Sequence, residues 1–446
     1  MSPSVMPSIV AYLHLLLNRL LYRVLRVGFL LPLILVMGMV IAACGDGATP
    51  TPTPSAQVPP TITSELTPVD TPVSGFNDQL VIWLPAFTGL AAEGGAGAIL
   101  ANAFHQFEQR SPSITLDIQV KADNGTASLF NFLRSAQQVA PATLPDLVLI
   151  NTQQLWQMAD LSMVTALNED ELVDLEFFPV ARDAVRYRTG VIGIPYAVDV
   201  IHLAYDADKV AQVPITWTEV LSREHRLLFP GAESAPAHAT LLQYVGAGGE
   251  LLEDGTVSDP AVLEQLFTFI DRARDQNIIP PNVLELAGFN SVWRAFAELQ
   301  GELATVQVNQ FYPNSAGIDP PLYAPVPTRT GAPVTIAETW AFAVLTQDAQ
   351  RRQQALALVD ELLAPEVQGP WSQLAARLPS QPQSLALWTE ANGYRDFLRQ
   401  LLGNAVTPPN GPAFADFSRR LQSAQAGLLR GELTVEAALD MVLIVE

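Results

Sequence analysis

The 446-residue chain carries 45 Asp and Glu against 24 Lys and Arg, a formal charge of −21, and 49% of its residues are hydrophobic. That acidity argues against nucleic-acid binding, which needs a basic face, while the apolar content is enough to bury a core. With one cysteine, Cys44, an intramolecular disulfide is impossible.

Residues 1–43 hold Arg19, Arg23 and Arg26 and no acid, then the apolar stretch Val27 to Ile41, then Ala42-Ala43. This is the layout of an export signal. Ile41-Ala42-Ala43-Cys44 resembles the bacterial lipobox, so residues 1–43 are expected to be a signal peptide and Cys44 the lipidation site. The competing reading is an uncleaved anchor, since a span needs about 20 apolar residues. A small-residue cleavage site before a polar tail favours the lipoprotein. Losing three arginines would take the formal charge from −21 to −24. Residues 44–75 follow with Thr-Pro repeats that cannot bury a core and favour extended polyproline II, the composition of a tether.

From residue 76 the pattern becomes globular and is long enough for two domains. Leu80-Val-Ile-Trp-Leu84 suits a buried strand, and Ile99, Ala103, Phe104 and Phe107 mark a helix face ending before Ser111-Pro112. Ile114 to Val120 alternates as a strand, Leu129, Phe130 and Leu133 have helical spacing, and Pro145 to Ile150 is a further buried strand. Strand, helix, strand, helix, strand predicts a parallel sheet covered on both faces, with ligands beyond the carboxyl ends of the strands. The loops Pro85 to Thr88 and Asn151 to Gln154 are therefore candidates for contact with ligand. Gly94-Gly-Ala-Gly97 lacks both the Lys-Ser/Thr ending of a phosphate loop and the G-x-G-x-x-G order, and reads as a flexible loop before a helix.

Further motifs occur in a familiar order. Leu144-Pro-Asp-Leu-Val-Leu-Ile150, Leu155 to Leu167, Gly193-Ile-Pro-Tyr196 with Leu203-Ala-Tyr-Asp206, Pro214-Ile-Thr-Trp-Thr-Glu-Val220, Trp293 to Ala304, Ala355 to Gln368 with Leu378-Pro-Ser380, and Leu429 to Val442 follow one another through the globular region. Together they resemble the extracellular solute-binding proteins of ABC importers, in particular the carbohydrate-binding group with its maltose-type receptors. Asp206 stands where that group usually has Asn, and Glu302-Leu303 replace its commoner residues. The resemblance implies an α/β fold of the type II periplasmic-binding-protein kind, with two lobes joined at a hinge and a ligand enclosed between them. Crossings are expected near Ile194 to Leu203, Pro327 to Thr339 and Arg377 to Gln383. Lobe 1 would be 76–200 with 337–376, and lobe 2 would be 201–336 with 377–446.

Sugars require flat apolar faces for their C–H surfaces and planar polar groups for their hydroxyls. At the expected cleft edges the candidates are Phe87, Thr88, Asn151, Gln153, Tyr196, Asp199, Asn309, Gln310, Tyr312, Glu338, Trp340 and Arg377. Each has a bland counterpart: Phe87 in a core, Asn151 as a helix cap, Asp199 as a structural hinge partner. Trp83, Trp217, Trp371 and Trp388 read as packing residues, and Trp293 fits either role.

A glycosidase would need two carboxylates across a cleft, and Asp199 with Glu338 is the imaginable pair, but no spacing fixes it. The five histidines, His14, His105, His202, His225 and His238, show no metal-ligand spacing, and no G-x-S-x-G elbow occurs. The sequence thus implies no enzyme, cofactor or metal. Together with the lipobox, the resemblance implies a monomeric, lipid-anchored receptor on the outer face of the bacterial cytoplasmic membrane that hands a small solute, a sugar, to ABC permease subunits. An anchored module for sensing or adhesion is the alternative.

Overall fold

The computed structural model describes residues 78–443 apart from 93, 169–175, 189, 235, 316–321 and 390–392. The expected signal, tether and lipidation site at Cys44 lie outside the described residues.

The strands, in chain order, are β1 (Asp78–Pro85), β2 (Ile114–Lys121), β3 (Leu147–Asn151), the short hairpin β4 (Arg186–Tyr187) and β5 (Gly190–Val191), and the long β6 (Ile194–Tyr205). They continue with β7 (Leu227–Leu228), β8 (Leu303–Gln307), β9 (Leu322–Ala324), β10 (Thr335–Val344), β11 (Leu378–Pro379) and β12 (Ala405–Val406). Among the described residues, ten of them form one sheet whose main path runs β2-β1-β3-β10-β6-β8-β7.

The first half behaves as the apolar runs predict. β1 lies between β2 and β3, parallel to both, with Leu80 opposite Leu116 and Ile82 opposite Leu147. β1 and β3 are covered on both faces and so carry apolar residues at successive positions, whereas the edge strand β2 buries only Ile114 and alternates with polar residues. Leu80, Ile82, Leu84, Leu147 and Leu149 enter one core with Leu100, Phe104 and Trp371. The alternating Trp83, Val148 and Ile150 enter another with Leu133, Leu155 and Trp156 on the opposite face. Gly97 belongs to this packing, because a Cβ there would collide with the backbone of Gly89, and only glycine lets the helix Gly95–Arg110 approach that loop.

Two strands carry the chain into a second body. β6 pairs with β10 antiparallel from Ile194 to Val200, and its carboxyl half pairs with β8, Ile201 opposite Gln307 through Tyr205 opposite Leu303. Along β6 the side chains up to Ala197 belong to the first core, and from Val198 onward to a larger one built with Phe267, Phe311, Trp388, Phe417 and Leu428. On β10 the same change falls between Ala337 and Trp340. β11 completes the crossing beside β6, Leu378 opposite Val198. The result is a mixed α/β, two-lobed protein. Phe178, Val180 and Ala181 send their side chains into the second core although they precede β6 in sequence.

Ridges of aromatic rings fix the second lobe. Trp217 stacks on Phe269 at 4.6 Å and 8°, with its Nε1 donating to Gln243 and Pro327. Trp371, in the helix Pro365–Leu374 and the first core, and Trp388, which follows the helix Pro382–Ala386 and enters the second core, are both fully buried as expected of packing residues, although Trp388 is not itself helical. Trp293 packs on Phe296 and Phe311. Among the described residues no helix is long and apolar enough to cross a membrane.

Candidate functional site

The ends of the first-lobe strands and the crossing strands face a common cavity of about 560 Å³, within the roughly 300–1,000 Å³ usual for small-molecule sites. Pro85 and Phe87 enter it from the end of β1, Asp123 and Asn124 from the end of β2, and Asn151, Gln153, Gln154 and Gln157 from the end of β3 and its following helix. From the other lobe come Phe289 and Asn290, which open the helix Phe289–Ala297, Gln307, which ends β8, and Asn309 and Gln310, which follow it. Glu338 and Trp340 of β10 and Arg377 before β11 form the floor at the crossing.

The floor is organised by charge. Arg377 Nη1 donates to Asp199 Oδ2 at 2.5 Å, and the same guanidinium lies 4.5 Å from the ring centroid of Trp340 and 5.0 Å from that of Phe87. Phe87 and Trp340 meet edge to face at 5.2 Å. Asp199 Oδ1 accepts from the backbone N–H of Val200 and Val308, both at 2.9 Å. Burial pushes the Asp199 carboxyl up to about 7, against the pull of Arg377 and with the Glu338 charge adding to the rise. Burial likewise raises Asp123, opposed by donation from the backbone of Phe87 and Ala86.

Glu338 joins the two walls. Its Oε1 accepts from Asn151 Nδ2 at 2.8 Å and its Oε2 from Gln307 Nε2 at 3.3 Å. Asn151 also caps the helix Thr152–Asp160, its Oδ1 accepting from Gln153 N at 2.9 Å, so the cap and the site contact coexist in one side chain. Gln310 Oε1 accepts from Gln307 N, and Gln310 Nε2 donates to Asn290. A bulge shapes this floor: between Trp340 and Ala341 the partner on β6 jumps from Ala197 to Pro195, skipping Tyr196. Such an extra residue re-aims the neighbouring side chains.

Eight of the twelve candidates line the cavity: Phe87, Asn151, Gln153, Asn309, Gln310, Glu338, Trp340 and Arg377. Four sit elsewhere. Thr88 is fully buried, its hydroxyl donating to Pro85 O at 2.7 Å and its carbonyl accepting from Trp371 Nε1, so it closes the turn after β1. Tyr196 points into the first core between Phe342 and Trp371, at 4.9 and 4.6 Å, because alternation along β6 puts it on the covered face. Asp199 lies beneath the floor as the partner of Arg377, fully buried, and so does not face Glu338 across an open cleft. Tyr312 stands in a ring cluster beside Trp388 and Tyr394, its hydroxyl meeting Gln373.

The sequence pattern marked Gln154 only as the end of the loop Asn151 to Gln154, and Asp123, Asn124, Gln157, Phe289, Asn290 and Gln307 were not among its candidates. The rule that ligands meet strand ends, applied to β2 as it was to β1 and β3, finds Asp123 and Asn124. Gln307 ends β8 two residues before Asn309 and is reached by the same reasoning. Phe289 and Asn290 carry no local signal. Among the described residues no group of three or more His, Cys, Asp or Glu gathers as a metal site.

Two α/β lobes crossed by three strands, with a polar cavity between them, define a cleft-type binding protein. The chain belongs to the bacterial extracellular solute-binding proteins, whose family pattern it matches over residues 102–393. Solved structures share the fold across 82% of this chain. The maltose-bound MalE3 of T. maritima is 18% identical with a TM-score of 0.66, and 98% of it is covered. The sugar-binding protein MalE of Xanthomonas citri is 18% identical with a TM-score of 0.67 and 95% coverage. The maltose/maltodextrin-binding domain MalE of Bdellovibrio bacteriovorus, bound to maltotriose, is 20% identical with a TM-score of 0.61 and 97% coverage.

Proposed function

We propose that the protein is a lipid-anchored extracytoplasmic receptor that captures a carbohydrate in the interlobe cavity and delivers it to an ABC importer. The observation that carries the carbohydrate reading is the lining: nine Asn and Gln carboxamides together with the rings of Phe87, Phe289 and Trp340. A carboxamide both donates and accepts, as a hydroxyl does, and an aromatic face suits the C–H side of a pyranose. The likeness to maltose- and maltotriose-bound proteins supports the same reading.

In this proposal lobe 1 comprises 76–200 with 337–376 and lobe 2 comprises 201–336 with 377–446. The β6, β10 and β11 crossings act as the hinge that closes on the ligand. The Cys44 thiol is lipidated before residues 1–43 are removed, and 44–75 tethers the lobes to the outer face of the cytoplasmic membrane. Stable retention there takes more than one acyl chain, since a single chain binds membranes only marginally. The receptor acts as a monomer without cofactor, metal or catalysis, and its protein partners are permease subunits.

A thermal-shift screen against sugars, polyols, peptides and anions tests the ligand class. A ligand at about 100 times its dissociation constant adds about 2.7 kcal/mol of stability, an easily read rise in midpoint. The expected result is a rise with one or more saccharides. A rise with a peptide or an anion and with no saccharide overturns the reading.

A further inference from the structure

Beside the cleft lies a second cavity of about 420 Å³, lined by Phe130, Arg134, Gln137, Gln138, Asp160 and Leu161, and it shares Gln157 with the first. Its walls are two helices that start at the cleft and lead away from it, Leu129–Val139 and Thr152–Asp160. On the second helix Gln153 faces the cleft, Gln157 faces both cavities, and Asp160 with Leu161 faces the outer groove, the i, i+4, i+7, i+8 spacing of a single helical face. The first helix repeats the arrangement. Leu129 lines the cleft, and Phe130, Arg134, Gln137 and Gln138 line the groove with the same spacing.

The chemistry of the groove continues that of the cleft. Carboxamides recur at Gln137, Gln138 and Gln157, with an apolar surface at Phe130 and an exposed Leu161. Its one acid is already engaged, Asp160 accepting from the Tyr187 hydroxyl and lying 3.5 Å from Arg188. Carboxamides beside apolar faces suit further units of the kind of ligand the cleft takes, and Arg134, the one cation of the lining, adds donors for their hydroxyls.

We infer that the ligand is a chain-like oligosaccharide whose outer units leave the cleft past Gln157 and lie in the groove between these two helices. This rests on the carbohydrate reading above. It makes the groove an extension subsite and sets the preferred ligand longer than the cleft alone accommodates.

Calorimetry on the full protein with linear α-1,4- and β-1,4-linked gluco-oligosaccharides, from disaccharide to heptasaccharide, tests it. Affinity should keep rising after the shortest binder, by about tenfold over the added units. Gln138→Trp, which fills the groove, and Arg134→Ala should each remove that gain while leaving the affinity of the shortest binder unchanged. Affinity that is flat with length, or variants that weaken short and long ligands equally, overturns the extension subsite alone. Binding of no member of either series, in a protein whose midpoint rises with a peptide or an anion, overturns the carbohydrate reading and this inference with it.

Discussion

Arg377 holds Asp199 from the far side of the crossing: Asp199 is fully buried on β6, and the guanidinium that neutralises it stands between the rings of Phe87 and Trp340 at the floor of the cavity. One ion pair therefore ties the floor of the cavity to the strand that joins the two lobes. Removing one partner of a buried pair leaves the other charge uncompensated and costs about 3–5 kcal/mol. Arg377→Met should lower the urea midpoint accordingly and abolish ligand binding, whereas Asp199→Asn, which keeps the shape and an acceptor for Val200 and Val308, should cost less. Equal and small losses in both would show that the pair does not organise the floor.

Trp340 is 9% exposed and packs on Phe87 and Arg377, so it is part of the core as well as of the lining. Trp340→Ala should destabilise by about 3–5 kcal/mol and is a poor probe of binding alone. Trp340→Phe retains a ring beneath Arg377 and is expected to fold with a modest loss while weakening saccharide affinity. The comparison is made by denaturant melts alongside titration.

Glu338 bridges Asn151 and Gln307 and is only partly buried. Glu338→Ala should reduce ligand affinity by about tenfold or more, the range of a lost charge-assisted hydrogen bond or two. Its thermal midpoint should move little. A large fall in midpoint with unchanged affinity would make the bridge structural.

His202 sets an acid limit on stability. Its ring is fully buried among Phe311, Tyr394 and Phe397, with Nδ1 donating to Leu203 O at 3.1 Å and Nε2 accepting from the Tyr394 hydroxyl at 2.9 Å. Burial lowers its pKa from 6.5 to about 4. In the folded state it binds fewer protons than in the unfolded state, so its contribution is complete above about 6.5 and is lost as pH falls through about 4. Thermal melts should show a midpoint that drops on acidification through this window. His202→Asn should lower the midpoint at neutral pH and flatten the acid slope.

If Cys44 carries the anchor, Cys44→Ser should move the protein from the membrane fraction into the medium or the soluble fraction without changing solute affinity. Retention in the membrane would instead point to residues 20–43 as a span.

Much of the first lobe could be read from the chain because its strands are short, apolar and local. Leu80 to Leu84 and Leu147 to Ile150 suit parallel strands covered on both faces, and the alternating Ile114 to Val120 suits the half-exposed edge strand beside them. Strand ends then pointed to Phe87, Asn151 and Gln153. Tyr196 and Asp199 misled because they have the right chemistry at the right place in the sequence. Alternation along β6 turns Tyr196 into the first core, and the register with β10 puts Asp199 under Arg377.

What the sequence by itself determined is whatever depends on neighbours along the chain: the strand and helix order, the acidic charge, the cap at Asn151 and the single cysteine with its flanks. What only the tertiary structure decided is the meeting of Asp123, Phe289, Gln307, Glu338 and Arg377 around one cavity, and the groove that leaves it past Gln157. Those residues lie far apart in the chain. They come together only because β6, β10 and β11 cross between two separately packed cores, and the resulting pairing of Arg377 with Asp199 and of Glu338 with Asn151 is set by long-range register rather than by local preference.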